Sequence, residues 1–200
     1  MSDPPPERAF LGTGPVTIAL GAKAESTVPL EQHDVYVRLR ALARRFKLRT
    51  KVVPIRSDGL VTINRNNFIV ACGPRRAGSI AGIFQWDPNL GFEEDADGWY
   101  LVDHREEQKT HGKPEILRSP RDSGHPKDIG YLGRLPRRLD GSGGTFLCIA
   151  GIHEIGTKGV VHFLEHNIAK LHEEVGTKLF STLIECEFDR GPGTGSRLVA

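Results

Sequence analysis

The sequence predicts a three-layer α/β domain with a largely parallel central sheet and a β-rich insertion. Three observations predict it. Strand-like and helix-like segments alternate at both ends of the chain, short alternating segments interrupt them, and Thr145 to Ala150 is apolar at nearly every position. A strand apolar on both sides of its pleat belongs inside a parallel sheet, covered on two faces.

Taken in order, Met1 to Glu7 is polar and proline-rich, and residues 1–8 are expected to be a flexible segment ahead of a single domain over 9–189. Val16 to Leu20 reads as the first strand. Glu31 to Phe46 follows as a helix, with Val35, Leu39, Leu42 and Phe46 at helical spacing and Arg38, Arg40, Arg44 and Arg45 largely off that face. Lys51 to Ile55 and Asn67 to Cys72 are the next strands, and Pro54, which has no N–H to donate, pushes the former to an edge or strand end. Gly73-Pro74 breaks the latter, and Ala77 to Gln85 can form a short helix. Gly91 to Asp103 and Asp128 to Pro136 alternate as strands do. Between them Arg105 to Lys127 holds three prolines, two glycines and many charges, which predicts a loop or flap. Asp140 to Gly144 is a turn signal, making a hairpin of Tyr131 to Leu135 with the central strand. A helix over Thr157 to Val175 buries Val160, Val161, Leu164, Ile168, Leu171 and Val175, and Gly176 stops it. Leu179 to Phe188 closes the fold as a strand, leaving 190–200 as a flexible tail.

Composition narrows the function classes. Two hundred residues can bury a core without disulfide or metal. With 27 basic and 25 acidic residues there is no general field for nucleic acid, and no helix-turn-helix reader is evident. Cys72, Cys148 and Cys186 each lie in an apolar run, which predicts buried free thiols in a reducing compartment. The chain shows no signal-peptide pattern and no membrane-length apolar run, so a cytoplasmic protein without membrane contact is expected.

Two strand-to-helix junctions carry the chemistry. Gly151-Ile152-His153-Glu154-Ile155-Gly156-Thr157-Lys158 has the two-glycine spacing of a phosphate loop, with Thr and Lys reversed relative to GxxxxGK[ST]. Exposed amides, a helix dipole and Lys158 still make an anion site, while the order of Thr157 and Lys158 argues against triphosphate hydrolysis. The alternative is that Gly151 and Gly156 only permit a tight turn and close packing. At the second junction, Gly73, Arg75, Arg76 and Ser79 offer a loose turn and two forked cations. Were the two strands parallel neighbours, both loops would meet at one sheet edge and share an anionic ligand. His153 and Glu154 are the candidate acid/base pair. His162, Glu165 and His166 spell His-x-x-Glu-His, the inverted zinc-protease pattern, yet a third ligand on another helix is missing and an ordinary helix face accounts for them. No metal or cofactor is expected. Arg134, Arg137 and Arg138 should lie at the opposite strand end from the glycine loop, as a separate patch for a partner.

An early strand and helix, the broken strand NFIVACGP and the unit IAGIHEIGTKG together resemble the Rossmann-like domains of bacterial signalling and defence systems that sense or process nucleotides. That resemblance implies a nucleotide-derived ligand. The expected function is binding of a phosphorylated or nucleotide-like small molecule as a sensor or signalling component, with a protein partner or self-association. The alternatives are a hydrolase of the same ligand and a protein-interaction module with no ligand.

Overall fold

A computed structural model describes residues 5–21, 30–55, 67–74, 81–110, 113–137, 143–187 and 197–198. The main sheet runs in the order β10-β9-β7-β8-β3-β1-β2 and a separate small sheet in the order β4-β5-β6. In chain order the strands are β1 (Val16–Gly21), β2 (Thr50–Ile55), β3 (Phe68–Ala71), β4 (Leu90–Asp95), β5 (Gly98–Asp103), β6 (Glu115–Leu117), β7 (Lys127–Pro136), β8 (Thr145–Gly151), β9 (Phe180–Glu187) and β10 (Arg197–Leu198). The helices are α1 (Arg8–Leu11), α2 (Leu30–Arg45), α3 (Ala81–Phe84), α4 (Arg105–Thr110) and α5 (Glu154–Val175).

Strands β8, β3, β1 and β2 are mutually parallel. Beyond β8 the sheet continues antiparallel through β7, β9 and β10. Thus β8 is the seam. It pairs in parallel with β3 on one side and forms the expected hairpin with β7 on the other, and six of its seven residues are buried. Edge strand β2 carries Pro54, where a missing ladder donor costs least, and its pattern is mostly exposed.

Alternation along the strands divides the core in two. On one side Ile18, Leu20, Ile69 and Ile149 pack with Val35, Leu39 and Leu42 of α2 and with Val160, Val161, Leu164 and Ile168 of α5. On the other, Ala19, Val70, Cys148 and Ala150 pack with Ile83 and Phe84 of α3 and with Leu90, Phe92 and Leu101 of the small sheet. The β-rich insertion therefore forms a cover for the second face. Tyr131 anchors it, with its ring edge-on to Phe84 and its hydroxyl donating to Asp87 Oδ2 at 2.8 Å. The two long helices share the first face.

The helix expected from Thr157 starts earlier, at Glu154, so Gly156 and Thr157 sit in its first turn and Lys158 opens the second. Its end is as the sequence predicts: Gly176 has φ 57° and donates its N–H to the His172 carbonyl. The Arg105 to Lys127 stretch contains α4, β6 and a 3-10 turn at Pro120–Ser123, with 111–112 outside the described residues. All three cysteines are buried and outside any disulfide. Among the described residues no helix is long and apolar enough to cross a membrane.

Candidate functional site

Strand order brings the two predicted junctions together. The chain passes from β1 to β2 on one side, then returns to place β3 on the other, so connection direction reverses between β1 and β3. Open α/β sheets bind ligands at the carboxyl ends of strands beside such a reversal. There a cleft of about 820 Å³ opens, lined by Gly73 after β3, by Gly151 to Ile155 and Lys158 from β8 into α5, by Gln32 in the first turn of α2, and by Arg121 and Asp122 of the 3-10 turn.

The glycines let the backbones meet. A Cβ at Gly73 would lie 2.4 Å from the Gly151 carbonyl oxygen, and one at Gly156 would lie 2.6 Å from the Ile129 carbonyl and 2.8 Å from Asp128 Oδ2. Those distances leave no room for any side chain. The same closeness lets β7 reach the start of α5. Asp128, fully buried, accepts N–H bonds on Oδ2 from Gly156 at 2.7 Å and His153 at 3.2 Å, while Ser119 Oγ donates to its Oδ1 at 2.6 Å. The positive end of α5 is thus met by the protein's own carboxylate, supplied from a neighbouring strand in place of a local N-cap.

Above this floor, His153 Nε2 lies 2.9 Å from Asp122 Oδ1. Lys158 Nζ lies 3.1 Å from Glu154 Oε1 one turn earlier and 3.9 Å from Asp34 Oδ2 of α2. Arg121, His153 and Lys158 therefore stand together with Asp122 and Glu154 among the described lining residues. Gln32 is 1% exposed, and its Oε1 has no hydrogen-bond partner among the described residues. Beneath the cleft, Thr157 Oγ1 is also buried and without one. A buried polar atom left unpaired costs about 1–3 kcal/mol.

Of the residues singled out from sequence, Gly73, Gly151, His153, Glu154 and Lys158 line this cleft. Gly156 and Thr157 are buried in the first turn of α5 below it. Arg75, Arg76 and Ser79 lie outside the described residues. Arg121 and Asp122 come from the stretch expected to be a loop or flap, while Gln32 and Asp128 were not foreseen. Gln32 follows the same strand-then-helix logic, one step after β1, and was legible on that ground; Asp128 had no local signal, because its partners are 25 and 28 residues away.

His162, Glu165 and His166 do bring one ligand atom each within 4.8 Å of the others. Arg38 of α2 engages two of the three. It donates to both Glu165 oxygens at 2.5–3.2 Å and to His162 Nδ1 at 2.8 Å, and Arg45 donates to the Glu165 carbonyl. His166 Nδ1 donates to the His162 carbonyl. The triplet is organised as an interhelical clamp between α2 and α5. Burial, His166 and Arg38 hold His162 below its ordinary pKa, with Glu165 pulling the other way.

No family model, no curated protein and no solved structure matches this chain.

Proposed function

We propose that the cleft over β3 and β8 binds a phosphorylated, nucleotide-like small molecule, and that the protein acts as a sensor whose occupied state a partner reads. The observation that carries this reading is Gln32, an amide whose buried oxygen has no partner among the described residues, on the wall of this cleft of about 820 Å³. A base or ribose edge would supply the missing donor, while Arg121 and Lys158 stand where a phosphate could be met. The presence of Asp122 and Glu154 beside the basic Arg121, His153 and Lys158 favours a ligand with both a donor-rich and an anionic part over a bare anion. We further read the parallel half, with its cleft at the carboxyl edge, as a Rossmann-like variant in which a small sheet replaces one helical layer.

Calorimetry with a panel of nucleotides tests the reading. Wild type is expected to bind at least one, and Gln32→Leu to bind it about tenfold more weakly while keeping its fold, as the loss of one neutral hydrogen bond implies. Equal affinity in the variant, or no binding anywhere in the panel, would overturn it. The second outcome would leave the ligand-free interaction module.

The contact between His153 and Asp122 favours a second reading, hydrolysis of the same ligand, because an imidazole oriented by a carboxylate is suited to general base work. Turnover abolished in His153→Gln and Glu154→Gln, with binding retained, would support it. Ligand recovered unchanged after long incubation would support the sensor.

A further inference from the structure

At the opposite edge of the sheet, a second cavity of about 210 Å³ lies under α1, where β3 and β8 begin. Its described polar walls are Thr13, Asn67, Arg134, Thr145 and Thr177, and no acidic residue lines it among the described residues. Arg134, on β7, is only 7% exposed. Its Nη2 donates to the Phe10 carbonyl at 2.7 Å, and its guanidinium lies 4.9 Å from the Phe10 ring centroid. The Nε is buried and has no partner among the described residues, and no described carboxylate comes within ion-pairing distance. Desolvation alone, with no acid to offset it, brings the Arg134 pKa down to about 10.

A guanidinium buried with no counter-charge among the described residues is a costly arrangement, because one carbonyl and one ring face do not replace lost hydration. Lysine could escape by losing its proton at modest cost; arginine holds its charge. The same cation sits on a wall whose neighbours are hydroxyls and an amide, groups that can donate to an anion. The cavity suits one compact group and is too small for a nucleotide, which separates it from the cleft. Of the three arginines expected as a patch here, Arg134 is buried on the cavity wall, Arg137 is half-buried, and Arg138 lies outside the described residues.

We propose that this cavity is a binding site for a single small oxyanion, a phosphate or carboxylate group, held by Arg134 with Thr13, Asn67, Thr145 and Thr177 around it. The fork of the guanidinium matches either group in a bidentate manner. Ligand bound there would tie α1 to the starts of β3 and β8, and stabilise the fold by mass action.

Thermal unfolding in phosphate, sulfate, acetate and chloride at equal ionic strength tests this. Phosphate a hundredfold above its dissociation constant is expected to raise the wild-type midpoint by about 5–10 °C over chloride. Arg134→Met should lose that response while being at least as stable as wild type in chloride, since the uncompensated charge is gone. Lys158→Ala, in the other cleft, should keep it. A response to acetate alone would assign the site to carboxylates. Amide shifts in ¹⁵N-labelled wild type locate the ion without any variant, and are expected at Thr13, Thr145 and Thr177. An equal midpoint in all four salts, a response retained in Arg134→Met, or shifts confined to 151–158 would each overturn the proposal.

Discussion

The side chain that most constrains the candidate site is Asp128. It spends both carboxyl oxygens on protein donors, two backbone amides at the start of α5 and one serine hydroxyl. Replacing it with alanine removes the acceptor of all three donors, two of them, the Gly156 N–H and the Ser119 hydroxyl, buried. The expected cost is about 2–4 kcal/mol, combining a lost helix cap with unpaired buried donors, and urea denaturation of Asp128→Ala measures it. A change below about 0.5 kcal/mol would mean that water takes over the cap. Sequence reading locates the glycines and His153, Glu154 and Lys158 because their chemistry is local: a strand end, a turn, a helix start. It has no purchase on Asp128, whose role arises only when a hairpin folds back across α5.

Between elements, the packing of α2 on α5 sets one wall of the cleft, because Gln32 and Asp34 ride on the first turns of α2. Arg38 clamps the two helices through Glu165 and His162. The His162 ring accepts from Arg38 at Nδ1 and so must be neutral there, and Arg38 and His166 both disfavour its protonation. Its folded pKa lies below the unfolded value, so over that interval the unfolded chain binds more protons. Stability should therefore fall as pH drops from about 6.5 toward the folded value, then level off with respect to this group. Urea midpoints between pH 7.5 and 5 check this, with His162→Gln expected to flatten the slope; an unchanged slope in the variant would refute it. The apolar stripes of both helices were readable at 3.6-residue spacing, as was the stop at Gly176. The start of α5 was not, since its cap comes from another strand. The His-x-x-Glu-His pattern misleads for a related reason: the partner that fills it is an arginine 124 to 127 residues away.

For the whole molecule, local pattern foretold a mixed α/β body and a β-rich insertion. What it could not foretell is where the insertion goes, because short alternating strands show only that one face is apolar. Phe92 and Leu101 settle against Tyr131 and Phe84 on the side that α2 and α5 leave open. The seam at β8 also has a kinetic side. Residues 127–187 contain β7, β8, α5 and β9; the β7–β8 pairing starts from a closure of nine residues (Pro136 to Thr145), and the β7–β9 pairing closes 46 to 60 (Arg134 to Phe180, Lys127 to Glu187) already bridged by that hairpin and α5, whereas joining β3 to β8 closes 78 (Val70 to Cys148). Closing the longer loop costs more entropy before any contact repays it. Cys186, in β9, should thus be shielded earlier in refolding than Cys72, which hydrogen-bonds to β8 through its backbone. Pulsed thiol alkylation during refolding reads that order, and simultaneous protection would reject it. The two glycine turns would then meet late: the chain first builds a free-standing β-hairpin with its helix, and the cleft exists only once β3 has docked along it.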